Sequence, residues 1–175
     1  GVQWVDGNRA VGFAVGVLAI TWSINFFNFM DGIDGIAASE AAFVCVALAF
    51  IAAVSGQPGV LAAAVGLAFA AAGFLAWNWP PARIFLGDVG SGFLGFVLAA
   101  LAMLALRSPA VNVWTLVLLP GAFLADAAVT LVRRALRRER VQEAHRSHAY
   151  QWLARRWSSH RRVTLLYVAV NLLIV

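Results

Sequence analysis

Asn25-Phe26-Phe27-Asn28-Phe29-Met30-Asp31-Gly32-Ile33-Asp34-Gly35-Ile36-Ala37 closes an apolar run and sets two amides and two carboxylates within ten residues. Steps of three stack Asn25, Asn28 and Asp31 near one face of a helix. Gly32 and Gly35 then loosen the helix, with Asp34 between them. Amide and carboxylate oxygens are hard ligands, suited to Mg²⁺ or Mn²⁺. A helix ending in an Asp-Gly turn is a common pattern and would account for one such pair. It leaves unexplained two pairs in tandem, preceded by two Asn, at the end of a membrane-length apolar run.

Composition sets the solvent. Of 175 residues, 62% are hydrophobic and 12% are charged, and the mean hydropathy is +0.83. A soluble domain carries about 45–50% apolar and about 25% charged residues. The chain therefore reads as an all-α, polytopic membrane protein with helices as the spanning element. Residues 1–175 are long enough for one membrane domain. The net charge of +5 does not point to nucleic acid, because ten of the thirteen basic residues fall between residues 133 and 162, in one basic link. Cys45 is the single cysteine and lies in an apolar run, a small hydrophobe with no disulfide partner. Residue 175 falls inside an apolar segment, so the chain is expected to be part of a longer protein.

Apolar segments cover residues 10–30, 36–54, 60–77, 92–106, 110–132 and 163–175. Crossing a bilayer takes about 20 residues. The pattern predicts six transmembrane helices, the fourth short unless it begins in the glycine-rich stretch before it. With six spans, links 31–35, 78–91 and 133–162 share one side of the membrane, and turns 55–59 and 107–109 share the other. Every elaborate polar motif falls on the first side. That side also holds the arginine cluster, which makes it cytoplasmic by the positive-inside rule.

The second link reads Trp77-Asn78-Trp79-Pro80-Pro81-Ala82-Arg83-Ile84-Phe85-Leu86-Gly87-Asp88-Val89-Gly90-Ser91-Gly92. Two prolines stop a helix, and the tryptophans suit a membrane interface. Gly87, Gly90 and Gly92 surround Asp88 and Ser91. Glycines let backbone N–H groups approach a phosphate, and a helix N-terminus favours an anion. Asp88 adds a carboxylate for a metal. Against this stands Gly-rich helix packing with an N-cap from Asp88 or Ser91.

In the third link, Pro120-Gly121 is expected to kink the fifth helix. Asp126 reads as an interfacial acid paired with Arg133 or Arg134, about two turns away. Further on, Glu143-Ala144-His145-Arg146-Ser147-His148-Ala149-Tyr150-Gln151 sets two histidines three apart, so one helical face would present both. Imidazoles beside guanidiniums suit a diphosphate. For most of the arginines the plainer reading is a loop meeting anionic lipid.

Together these three stretches resemble the polyprenyl-phosphate N-acetylhexosamine-1-phosphate transferases (glycosyltransferase family 4). Residues 25–35 look like that family's Asn-rich Asp-Gly-x-Asp-Gly loop, and Gly87-Asp88-Val89-Gly90-Ser91 looks like its Gly-Asp-x-Gly-Ser loop. His145-Arg146-Ser147-His148 is similar to the histidine loop of the branch that initiates O-antigen and related glycans. The resemblance implies a fold of about ten helices, of which this chain would be the C-terminal six, in a bacterial inner membrane with the site facing the cytoplasm. It also implies a reaction: a polyprenyl (undecaprenyl) phosphate attacks the β-phosphorus of a UDP-N-acetylhexosamine. The products are polyprenyl diphospho-sugar and UMP, and Mg²⁺ is required. GlcNAc, GalNAc, FucNAc and QuiNAc donors all fit, and a homodimer is left open.

Carried over residue by residue, Asp88 matches the metal-binding aspartate, with Asn28 beside it. Asp31, Asp34, His145 and His148 are the expected catalytic groups. Asn25, Asn28, Gly90, Ser91 and Arg146 are the expected substrate contacts. The family's N-terminal Asp-Asp motif is absent from this chain. The consecutive histidines of the peptidoglycan-precursor branch are replaced here by His-Arg-Ser-His, which argues against a muramoyl-pentapeptide donor. A transporter is the alternative, since discontinuous helices and intramembrane acids serve there too. The clustering of motifs in loops on one face speaks against it.

Overall fold

The computed structural model describes residues 9–138 and 148–174. Among them the secondary structure is entirely helical: α1 (Arg9–Met30), α2 (Ile36–Val54), α3 (Pro58–Asn78), α4 (Gly87–Ala105), α5 (Val113–Leu118), α6 (Gly121–Leu136), α7 (Ala149–Trp157) and α8 (His160–Ile174). The first four are long and apolar enough to cross a membrane. Phe13, Phe50 and Phe69 on them stand 76%, 71% and 75% exposed. Water would penalise that exposure, whereas lipid tails are as apolar as the side chains.

The boundaries follow local chemistry. Pro58 opens α3, where its missing N–H costs nothing. Helix α4 begins at Gly87, inside the glycine-rich stretch, which gives the fourth apolar segment a membrane-spanning length. The fifth segment is not one kinked helix but two. Pro120 ends α5 and the chain restarts as α6, with the Leu124 N–H bonded to the Pro120 carbonyl at 2.8 Å. Neither α5 nor α6 alone has the length of a span. The last segment starts three residues earlier than expected, at His160.

Helix α1 packs chiefly on α4, and α2 on α3. The first contact depends on Gly95: a Cβ there would strike the Ser23 carbonyl oxygen and come within 2.8 Å of the Ile24 Cα. At this approach Ser23 Oγ donates to the Gly95 carbonyl at 2.8 Å. Small residues at helix interfaces let backbones meet in this way. Phe123 of α6 packs edge-on against Phe26 of α1 and Tyr167 of α8, and tilts against Phe27. These rings seat α6 and α8 beneath the end of α1 that carries the polar motif.

Candidate functional site

Three polar stretches far apart in sequence converge where α1 ends. Asn28, in the last turn of α1, donates through Nδ2 to Asp88 Oδ1 at 3.1 Å and to Ser91 Oγ at 3.2 Å. Asp31 lies just beyond the helix. Burial, and then the Asp88 carboxylate, push its carboxyl up to about 6. Two carboxylates are thus close enough to oppose each other's charge, one exposed on α4 and one half-buried after α1. The first motif and the second form one cluster.

The second motif is not a loop but the first turns of α4. Asp88, Gly90, Ser91 and Gly92 all lie within α4. Leu86 occupies the N-cap position with no side-chain cap bond, so Asp88 is not a helix cap. Ser91 is 1% exposed and spends its hydroxyl on the Gly87 and Asp88 carbonyls, at 3.1 and 3.3 Å. Gly90 packs under Leu86. Asn25 is exposed and bonds back to the Thr21 carbonyl at 2.9 Å. Of the expected substrate contacts, Asn28 is the one placed against the carboxylates.

Asp34 sits at a junction. Its Oδ2 accepts from the Ala82 N–H at 3.1 Å and lies 3.3 Å from His160 Nδ1. Its carbonyl accepts from Thr164 Oγ1 at 3.0 Å. The next residue, Gly35, takes φ +78°, and its N–H donates to Asn78 Oδ1 at 3.0 Å. Asn78 in turn donates to the Ile84 carbonyl at 2.8 Å. The Asp34-Gly35 pair therefore fastens the first link to the second link and to α8.

The third stretch docks by a route that helical spacing does not suggest. Arg146 and His145 lie outside the described residues. His148 itself is not helical: its backbone is extended, φ −63° and ψ 150°, as the N-cap of α7. The ring is 2% exposed, stacks on Tyr150 at 5.7 Å and lies 3.5 Å from Asp126 Oδ1. The His148 backbone N–H donates to Gln151 Oε1 at 3.3 Å. His148 thus supports α7 rather than facing outward.

Asp126 has a structural role, as the sequence suggested, but with other partners. It accepts from Thr130 Oγ1 (3.1 Å), the Ala149 N–H (2.8 Å), the Tyr150 N–H (3.0 Å) and Tyr167 Oη (2.6 Å). The arginines two turns along α6 do not appear in that set. An acid on one helix capping the start of another satisfies two orphan amides at once.

Sequence reading also passed over Glu40, the only acid inside α2 and 1% exposed. Its Oε2 accepts from Asn171 Nδ2 of α8, and Asn171 Oδ1 accepts from the Ala122 N–H at 3.0 Å. An acid in a membrane-length apolar helix is itself a signal. Asn78, between two interfacial tryptophans, carried a weaker one, and His160 carried none.

A family description, glycosyl transferase family 4, matches residues 2–106. The chain belongs to that family. The matched stretch holds α1 to α4 and with them Asn28, Asp31, Asp34 and Asp88. Among relatives, a probable undecaprenyl-phosphate N-acetylglucosaminyl 1-phosphate transferase of Bacillus subtilis is 28% identical over 97% of this chain and 49% of its own length. A phospho-N-acetylmuramoyl-pentapeptide-transferase of Chlamydia trachomatis is 33% identical over 93% of this chain and 48% of its own. One of the same description from Heliobacterium modesticaldum is 40% identical over 58% of this chain. The family 4 chain spans about half the length of the relatives that match nearly all of it.

Among the described residues no three His, Cys, Asp or Glu side chains converge as a cage for a metal. Mg²⁺ asks for less. It is commonly held by one or two carboxylates, with the substrate's phosphates and water completing the octahedron. Asp31 and Asp88 supply such a pair, and the raised Asp31 carboxyl reflects a site that a cation would relieve. The residues present fit the ion.

Proposed function

We propose that the complete protein transfers a sugar 1-phosphate from a UDP-N-acetylhexosamine to a polyprenyl phosphate such as undecaprenyl phosphate, with Mg²⁺, releasing UMP. It would perform this as the first membrane step of a bacterial cell-surface glycan, of the O-antigen kind. The observation that carries the reading is the Asn28 bridge to Asp88 and Ser91, which joins the two motifs within range of the Asp31 carboxyl, three residues on from Asn28. A chain of half the relatives' length supplies half of such a site, and alone it would be inactive. The topology follows the same proposal: six spans in this chain, the polar links facing the cytoplasm.

Phosphoryl transfer needs alignment and charge neutralisation more than covalent help. Asp88 and Asp31 would hold Mg²⁺ with Asn28 beside them, and the ion would offset the diphosphate's charge. Asn28 fixes the Asp88 carboxylate by donating to it. Asp34 acts one step back, holding the Ala82 amide and the α8 end in register with the Asp31 loop. His145 and Arg146 remain the groups proposed for the diphosphate. His148, buried against Asp126, positions the start of α7.

The test is UMP release by the full-length protein, with undecaprenyl phosphate and a panel of UDP-N-acetylhexosamines. Release that needs both lipid phosphate and Mg²⁺ is the expected result. Donor panels that give no UMP under any lipid or metal condition would sink the reaction.

A further inference from the structure

Glu40 is a buried acid that the proposed reaction leaves without a part. It lies one turn inside α2, is the only charged residue of that helix and is 1% exposed. An acid inside a membrane helix is costly and marks function by default. Its partner serves a break in a neighbouring helix. After Pro120 the chain restarts as α6, and the Ala122 N–H is one of the amides that a helix start leaves without an intrahelical acceptor. Asn171 Oδ1 of α8 takes it at 3.0 Å. An amide side chain accepts only through its oxygen, so Nδ2 is left as the donor, and it donates to Glu40 Oε2. Asn171 is fully buried, so that donor depends on a protein acceptor. Glu40 thus ends a relay that runs from α6 through α8 to α2.

The relay brackets the Asp-Gly loop. Helix α2 starts at Ile36, directly after Gly35. Thr164 of α8 donates to the Asp34 carbonyl at 3.0 Å, and Asn171 stands seven residues further along the same helix, roughly 10 Å at 1.5 Å per residue. Helix α8 is therefore fastened at two heights, to the loop and to α2. On the other side of the loop, Asp126 of α6 accepts the Ala149 and Tyr150 amides, and Tyr150 Oη donates to the Phe29 carbonyl at the end of α1. The chain before the loop is tied to α6 through Tyr150, and the chain after it through Glu40. Asp31 stands between the two ties.

We propose that Glu40 is a positioning residue for the reaction: as the acceptor for Asn171 it sets where α6 and α8 stand against α2, and so holds Asp31 in place. Its effect on turnover rests on the proposed phosphoryl transfer, whereas its effect on the loop does not. Among the described residues no donor meets Glu40 Oε1. One acceptor oxygen is then all that the relay uses, and the charge is dispensable. A residue that only stabilised the fold would lower the folded fraction and leave the turnover of the folded protein intact.

The full-length protein is compared with Glu40→Gln, with Glu40→Met and with Glu40→Met combined with Asn171→Leu, by hydrogen–deuterium exchange and by UMP release. Gln keeps an acceptor oxygen. Met keeps the length of the side chain and removes the acceptor, and the double variant replaces the polar pair with apolar side chains of similar volume, which preserves the fold. Both Met variants are expected to raise exchange several-fold at residues 29–36 and 121–126 while α4 is unchanged. Their kcat should fall about tenfold to a hundredfold, as small misplacements of a reacting group do, with KM within about twofold. Glu40→Gln should restore both readouts. Unchanged loop exchange in the Met variants would overturn the proposal, as would a Glu40→Gln protein as impaired as Glu40→Met. A fall in kcat no larger than the fall in folded fraction would also overturn it and leave Glu40 a part of the fold alone. Wild-type protein that releases no UMP would sink the reaction, and exchange at residues 29–36 would still decide the place of Glu40.

Discussion

Tyr150 Oη donates to the Phe29 carbonyl at 3.0 Å, across 121 residues of chain. Phe29 is in the last turn of α1, so this bond docks the start of α7 onto the Asp-Gly loop. Tyr150 is fully buried, and its Oη accepts from Gln151 Nε2 at 3.1 Å. Gly32 makes the approach feasible: a Cβ there would collide with Tyr150 Oη and come within 3.2 Å of Gln151 Nε2.

Gly32→Ala should therefore destabilise the protein by about 1–3 kcal/mol, the usual cost of overpacking a tight site. Tyr150→Phe removes the clashing oxygen along with its hydrogen bond, a loss of about 1 kcal/mol alone. Thermal unfolding of the two single variants and the double variant gives the coupling. We expect the double variant to be more stable than the sum of the singles. Strict additivity would mean that the loop and α7 do not meet.

Asp126→Ala would leave the Ala149 and Tyr150 amides and Tyr167 Oη without their acceptor. Stranding buried donors of a charged acceptor costs about 3–5 kcal/mol. Asp126→Asn keeps one acceptor oxygen and should lose less. Limited proteolysis around α7 is the local readout, and cleavage there should rise in Asp126→Ala before α1–α4 unfold. An unchanged cleavage pattern would show that α7 is held by packing alone.

How much was legible beforehand depended on the range of each interaction. Membrane class and the four long helices follow from composition and apolar length, which are local properties. The meeting of Asn28 with Asp88 was legible only as chemistry: two metal-type motifs invite each other, although no spacing rule joins residues 60 apart. Helical periodicity failed at His148, because the residue before a helix is extended and the three-residue rule stops there. The Asp126 partners failed for a related reason. An arginine two turns away is visible in the sequence, whereas a backbone amide 23 residues on is not. Pro120 signalled a disturbance, but whether it kinks or ends a helix is set by packing around it.

Asp34 separates a charge used in chemistry from one used in construction. Its carboxylate takes the Ala82 amide and faces His160, which is 44% exposed at its side chain. Asp34→Asn keeps an oxygen for Ala82 and should cost under about 1 kcal/mol, while Asp34→Ala should cost about 1–3 kcal/mol. His160→Ala removes the half-exposed acceptor of the Asp34 N–H, a long bond at 3.4 Å, and should cost under about 1 kcal/mol. Turnover that falls in step with stability across the three variants is expected. An Asp34→Asn protein as stable as wild type but inactive would move Asp34 into the reacting site.

Asp88→Asn is the sharpest test of the proposed chemistry. The carboxylate is exposed at the first turn of α4, next to Asp31 and held by Asn28. Backbone N–H groups at that helix end favour a phosphate, and a carboxylate beside them would repel it unless a cation stood between. The substitution keeps size and one oxygen but removes the charge. No helix cap is lost, because Asp88 makes no capping bond. Stability should therefore stay within about 0.5 kcal/mol, as for other surface changes. Losing one strong electrostatic group at a reacting centre typically costs about 10²–10³ in rate. The measurement is UMP release by the full-length variant against wild type over a range of Mg²⁺ concentrations. The loss is expected to persist at high Mg²⁺, since the amide supplies no charge to hold the ion. Activity within a few-fold of wild type at every concentration would remove Asp88 from the metal site and leave Asp31 without a partner there.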